Sequence, residues 1–323
     1  MVTRDNYRQI DLLKYLRKTK DMKEAQMMLD SDILYEPELC ALGVNPNITY
    51  DILFELAGSK YDSVRSEVAR NKLVGEKRLS YILCNDAVGK VRTSLAGNIY
   101  TPAGLLGTLS SDYDYYVRQA AFRNPMLPRK YVMNAFESEQ NIALAADNPN
   151  LTSTDLYTIA NKKVTSNNQK DIKAVMACQG IKDAKAVIAK RSDLPMPLFM
   201  QLAYSDDIAV RLEIAKNPFC DDETLIYLSG DSDVRIKEAL LRRPYLPPEA
   251  LSNFVLDEDD VIRRLAAKRN NLFLEDQNTL SVDKNRQVRF ELLLNDSIDQ
   301  HLKEQMELRD ENQELMININ NFR

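Results

Sequence analysis

VRLEIAKNP, running from Val210 to Pro218, is one of four clear variants of a single phrase. The others are VRSEVARNK from Val64, VRTSLAGNI from Val91 and VRQAAFRNP from Val117. Looser copies begin at Ile262 (IRRLAAKRN), at Val288 (VRFELLLND) and at Val234 (VRIKEALLRRP), the last fitting only if Leu240 and Leu241 are taken as inserted. Alignment on the eighth position adds copies that end at Asn45, Asn148 and Arg191. That position then reads Asn45, Asn71, Asn98, Asn124, Asn148, Arg191, Asn217, Arg243, Arg269 and Asn295, in steps of 24 to 27 residues apart from the 43 between Asn148 and Arg191. A period of this size held through ten copies predicts stacked repeats, because one unit cannot bury its apolar side alone.

The positions of the phrase have separate physical readings. The first is usually Val or Ile and the fifth is usually apolar (Val68, Leu95, Ile188, Ile214, Leu292), which places an i, i+4 stripe on one helix face. The sixth is small in most copies (Gly43, Ala69, Ala96, Ala146, Ala189, Ala215, Ala239, Ala267), as close stacking requires. Asn at the eighth suits a left-handed helix end, and the Pro that often follows (Pro46, Pro125, Pro149, Pro218) cannot continue a helix. A second short helix is predicted to begin after Thr49, Pro102, Pro128, Thr152, Pro195 and Pro247. Its apolar pairs are Leu53/Leu56, Leu79/Ile82, Leu106/Leu109, Leu156/Ile159, Phe199/Leu202, Leu225/Leu228 and Leu251/Phe254.

The phrase VRxxVAxNPxLP at this period resembles the leucine-rich repeat variant, a bacterial relative of HEAT and armadillo repeats, over residues 38–298. The resemblance implies an all-α, right-handed α-α superhelix. It carries little about function. The family's best-known example has a cysteine-rich iron–sulfur segment, whereas Cys40, Cys84, Cys178 and Cys220 lie far apart, so no cofactor is expected. Residues 1–37 read as an N-terminal helical cap, 161–183 as an insertion that lengthens one repeat, and 299–323 as a charged C-terminal helix and tail.

Composition narrows the function classes. A hydrophobic fraction of 44% suits a folded protein, and no run approaches the ~20 apolar residues that cross a bilayer. Scattered cysteines and a charged N-terminus suit a reducing cytoplasm, bacterial or phage, and no membrane partner. The single histidine, His301, removes histidine triads and His-metal sites, and no phosphate loop or GxSxG elbow is present. Neither enzyme activity nor a metal site is expected. Cys220 occupies a slot held elsewhere by Leu and reads as core.

Two columns carry the polar information. Arg at the second position (Arg65, Arg92, Arg118, Arg211, Arg235, Arg263, Arg289) is expected to form a structural ladder that locks neighbouring repeats together, pairing with loop acids near the helix start such as Asp62, Asp233 or Asp260. The seventh position is basic in Arg70, Arg123, Lys190, Lys216, Arg242 and Lys268, and Arg191, Arg243 and Arg269 add charge at the eighth. Cations at a helix end complement its dipole. Stacking would also align these nine into a basic ridge, densest over residues 190–269. The expected function is a protein-binding scaffold whose ridge meets an acidic surface or peptide. The alternative is a nucleic-acid-binding HEAT-like protein holding a phosphate backbone, as the HEAT-like alkylpurine DNA glycosylases do in DNA repair. The net charge of −5 weighs against that second partner.

Overall fold

A computed structural model describes residues 9–138, 141–162 and 172–309. The central part of the insertion, 163–171, and the tail from 310 lie outside the described residues. Among the described residues every regular element is helical: α1 (Gln9–Lys18), α2 (Met22–Asp30), α3 (Glu36–Gly43), α4 (Tyr50–Leu56), α5 (Asp62–Arg70), α6 (Lys77–Cys84), α7 (Gly89–Gly97), α8 (Ala103–Leu109), α9 (Tyr115–Arg123), α10 (Arg129–Ala135), α11 (Ile142–Ala146), α12 (Ser153–Asn161), α13 (Ile172–Ala189), α14 (Met196–Ala203), α15 (Ile208–Lys216), α16 (Asp222–Ser229), α17 (Val234–Leu241), α18 (Pro248–Val255), α19 (Asp260–Ala267), α20 (Leu274–Ser281), α21 (Arg286–Leu294) and α22 (Gln300–Leu308), with a 3-10 turn at Lys72–Gly75. The fold is an all-α repeat solenoid. It divides into two compact units, Met1–Thr152 with Lys163–Ala184, and Ser153–Lys162 with Lys185–Arg323.

Within each unit the repeats form two helical layers. In the first unit the odd-numbered helices stack in order, α1 on α3, α3 on α5, α5 on α7, α7 on α9 and α9 on α11. In the second, α15, α17, α19 and α21 form one layer, while α12, α14, α16, α18, α20 and α22 form the other. The phrase supplies the odd helices. Their first and fifth positions (Val64/Val68, Val91/Leu95, Val210/Ile214, Val288/Leu292) are fully buried, so the i, i+4 stripe faces the core. The slot three residues after the eighth position is also core in every copy: Ile48, Val74, Thr101, Leu127, Leu151, Leu194, Cys220, Leu246, Leu272 and Ile298. Thr49, Pro102, Pro128, Pro195 and Pro247 are the N-caps of α4, α8, α10, α14 and α18.

Three local expectations need correction. Val234 does not open its copy: it is exposed and Ile236 is buried in its place. The phrase there is therefore Ile236–Arg243 without insertion, and its sixth residue is Leu241 rather than Ala239. In the helix Lys77–Cys84, Leu79 pairs with buried Leu83, not with Ile82, which faces solvent. Third, the eighth-position asparagines are not left-handed. Asn71 (φ −72°, ψ 147°), Asn98 (−81°, 125°), Asn124 (−73°, 122°), Asn217 (−66°, 120°) and Asn295 (−73°, 120°) are extended, and among the described residues the only positive φ at a non-glycine is at Asp32. Extended backbone turns the carboxamide back towards the preceding repeat.

Candidate binding surface

The carboxamide turned inward forms the first of two ladders. Asn98 Nδ2 donates to the carbonyls of Ala69 and Asn71, both at 2.9 Å, and Asn124 Nδ2 to those of Ala96 (2.7 Å) and Asn98 (2.9 Å). Asn71, Asn217 and Asn295 repeat the pattern, each reaching the sixth and eighth residues of the previous copy. Asn45 does the same to Leu16 and Thr19 at the end of α1, so α1 stands where a first helix would. Each Oδ1 accepts the amide two residues on, for example Met126 N–H onto Asn124 (2.9 Å). One side chain thus satisfies two carbonyls freed at the preceding helix end and one loop amide.

Arg243 and Arg269 occupy rungs of this ladder. Arg243 Nη1 donates to Ala215 O (2.9 Å) and Asn217 O (2.8 Å), and Arg269 Nη1 to Leu241 O (3.3 Å) and Arg243 O (2.6 Å). Both are half-buried, and burial pushes both guanidinium groups below their ordinary pKa. They remain cationic, since arginine starts far above neutrality. Arg191, the third eighth-position arginine, holds Asp193 through Nε (2.8 Å) and Nη2 (2.7 Å).

The second ladder runs through the loops, and its carboxylates are Asp86, Asp112, Asp231 and Asp283 rather than the acids expected. Arg65 grips Asp86 through Nε (2.6 Å) and Nη2 (3.1 Å), and Arg92 grips Asp112 (2.7 and 2.9 Å). Arg211 and Arg263 hold Asp231 and Asp283 in the same way. Each partner lies in the loop one repeat downstream, not at the start of the arginine's own helix. The remaining Nη1 donates to the carbonyl six residues upstream, as Arg92 to Asp86 O (2.7 Å) and Arg118 to Asp112 O (2.8 Å). Asp86, Asp112 and Asp283 therefore each take the previous repeat's arginine on the carboxylate and their own repeat's arginine on the carbonyl. Lys237 fills the slot assigned to Arg235, meeting Asp257 at 2.5 Å, while exposed Arg235 pairs locally with Asp233. Asp62 is not an arginine partner in this ladder, and Asp260 accepts instead from Asn285 Nδ2. Where the slot is serine, at Ser59 and Ser205, only the carbonyl contact is made, so a run of rungs begins there in each unit.

Electrostatics follow the geometry. Burial raises the Asp86 and Asp112 carboxyls, but the arginine hydrogen bonds, an amide donor and nearby arginine charge outweigh it and hold both below the usual range. Asp283 behaves likewise with Arg263. Burial drives the Cys220 thiol up to about 12, as befits core rather than chemistry. Among the described residues no three His, Cys, Asp or Glu side chains gather as a metal site would require, and no helix is long and apolar enough to cross a membrane.

The nine residues of the sequence-derived ridge separate into two sets. The seventh-position cations are exposed, and each has a carboxylate neighbour: Arg70 with Glu67 (2.6 Å), Arg123 with Asp147, Lys190 (4.0 Å) and Lys216 (3.8 Å) with Glu213, Arg242 with Glu238 (3.0 Å) and Lys268 with Glu291 (3.1 Å). The eighth-position arginines turn inward, two of them into the carbonyl ladder. Sequence reasoning missed a further column, the tenth position, where Tyr100, Met126, Phe219 and Tyr245 stand more than half exposed. Its signal was present as large apolar residues two after the Asn or Arg, where the loop backbone leaves the ladder.

No family model matches the sequence, and no curated protein matches it. A solved structure described as a leucine-rich repeat variant with a novel repetitive protein structural motif shares 20% identity, with a TM-score of 0.49, over 73% of this chain and 87% of that one. The chain is thus similar to the leucine-rich repeat variant.

Proposed function

We propose that this chain is a non-catalytic scaffold that uses its solenoid surface to bind another protein. The observation that carries the reading is the pairing of columns in the second unit. There an exposed cation and an exposed aromatic recur one repeat apart, as Lys216 with Phe219 and Arg242 with Tyr245. Stacking presents such a surface already ordered, so little conformational entropy is lost on binding. Aromatic and arginine side chains are also the groups that dominate protein interfaces. The carboxylates beside every seventh-position cation favour a protein over nucleic acid. A phosphate backbone would meet Glu213, Glu238 and Glu291 along the same row and release few counterions.

Fluorescence anisotropy with three labelled probes tests this: a flexible peptide of alternating Glu and Tyr, its Gln counterpart, and a random duplex of about 20 base pairs. The scaffold reading predicts saturable peptide binding, with duplex binding at least about tenfold weaker at physiological salt. Tight duplex binding that collapses steeply with added salt would assign the surface to nucleic acid instead.

A further inference from the structure

The two arginine rungs hold a charge that the stack does not require. Asn71, Asn98, Asn124, Asn217 and Asn295 make the same carbonyl contacts without burying charge, and each accepts a loop amide that arginine cannot. Arg243 and Arg269 are in successive repeats, and the side-chain hydrogen bonds of both run only to backbone carbonyls. Arg243 Nε is buried with no hydrogen-bond partner.

Each arginine lines a cleft. The first, about 440 Å³, has Lys216, Arg242 and Arg243 as its cations and Pro218, Cys220 and Tyr245 on its apolar side. The second, about 360 Å³, has Lys268 and Arg269. Pro244 and Tyr245 belong to both, so the Tyr245 ring stands between them; neither is lined by an aspartate or glutamate, and the Tyr245 hydroxyl donates to Asp222 (3.2 Å) beside them. A corresponding cleft in the first unit contains Asn98 and Tyr100, with Arg70 as its sole lining cation.

We infer that the two clefts astride Tyr245 form a receptor for an acidic protein segment, one carboxylate side chain seated in each and an apolar residue between them against the Tyr245 ring. The inference rests on the scaffold reading above and names its partner's chemistry. Arg243 Nη2 and Arg269 Nε are left unused by the carbonyl ladder, and a charge-assisted hydrogen bond from a guanidinium suits a carboxylate. Spaced carboxylates also suit a surface whose outer row already carries Glu213, Glu238 and Glu291, whereas a continuous polyanion would be repelled there.

The test is the anisotropy titration of the Glu-Tyr and Gln-Tyr peptides against the full chain and three variants. R243N/R269N restores the asparagine rung while removing the cleft charge. K216Q/K268Q/Y245S changes residues outside the ladder and guards against misfolding of the first variant. K77Q, at an exposed lysine of the first unit outside the ridge, is the control. Either cleft variant should bind the Glu-Tyr peptide about tenfold more weakly, R243N/R269N should leave Gln-Tyr binding unchanged, and K77Q should leave the binding of both peptides unchanged. Wild-type affinity for the Glu-Tyr peptide in a folded cleft variant overturns the receptor and leaves the scaffold standing. So does equal binding of the Glu and Gln peptides by the unaltered chain. Binding of neither peptide by the unaltered chain overturns both readings.

Discussion

Replacing Asn124 with alanine removes three hydrogen bonds with one truncation. Nδ2 loses its contacts to Ala96 O (2.7 Å) and Asn98 O (2.9 Å), and the Met126 amide loses its acceptor (2.9 Å). Asn124 is 2% exposed, so water does not readily replace these partners. A net value of about 1 kcal/mol for each bond, together with the larger cost of stranded buried polar groups, gives a destabilisation of about 2–4 kcal/mol. For a unit of this size that lowers Tm by about 4–16 °C. Asn124→Asp should be worse than alanine, because its carboxylate faces two carbonyl oxygens. Asn124→Arg should recover part of the loss, since Arg243 and Arg269 occupy equivalent rungs. Thermal unfolding followed by circular dichroism reads all three. A Tm for the alanine variant within a degree of the parent, or an aspartate variant as stable as the parent, would refute the ladder as a source of stability.

Other expected outcomes follow from the same geometry. Arg92→Ala strands Asp112 and the Asp86 carbonyl in a largely buried site and should cost about 3–5 kcal/mol in denaturant unfolding. The carboxyls of Asp86, Asp112 and Asp283 titrate in the folded state below the unfolded value of about 3.9. Their contribution is therefore complete above that value and is lost as pH falls through the folded values. Tm should drop steeply below about pH 4, and less steeply in Asp112→Asn. Ala96→Leu or Ala215→Leu places extra carbons at fully buried positions and should cost about 1–3 kcal/mol in the same unfolding experiment. Cys220, buried with its thiol pushed up to about 12, should resist alkylation at pH 8 until the chain is denatured, as mass spectrometry can follow.

The layered fold was legible because burial has a period. The first, fifth and sixth positions and the Leu slot alternate with polar residues at a spacing that only helices stacked on copies of themselves can satisfy. Pairing across repeats was less legible. An Arg with acids on both sides in sequence does not reveal which loop it reaches, and the downstream acid is the one that stacking brings alongside. Asparagine at a helix end is compatible both with a left-handed cap and with an extended residue that bonds backward, and composition alone does not separate them. At Val234 the dipeptide Val-Arg imitates the start of the phrase, while the true start, Ile236-Lys237, disguises the ladder cation as lysine. The row of cations was visible from register. That two of its arginines are tied to carbonyls, and that Tyr245 stands between their clefts, required distances.

Hydrogen exchange at the ladder amides tests the central account most directly. The N–H groups of Asn47, Leu73, Tyr100, Met126, Phe219 and Ser297 lie outside the α-helices, yet each is held by the carboxamide two residues before it. They should exchange as slowly as amides in the helices they join, and Met126 should lose that protection in Asn124→Ala. Exchange at the rate of an open loop in the parent chain would contradict it.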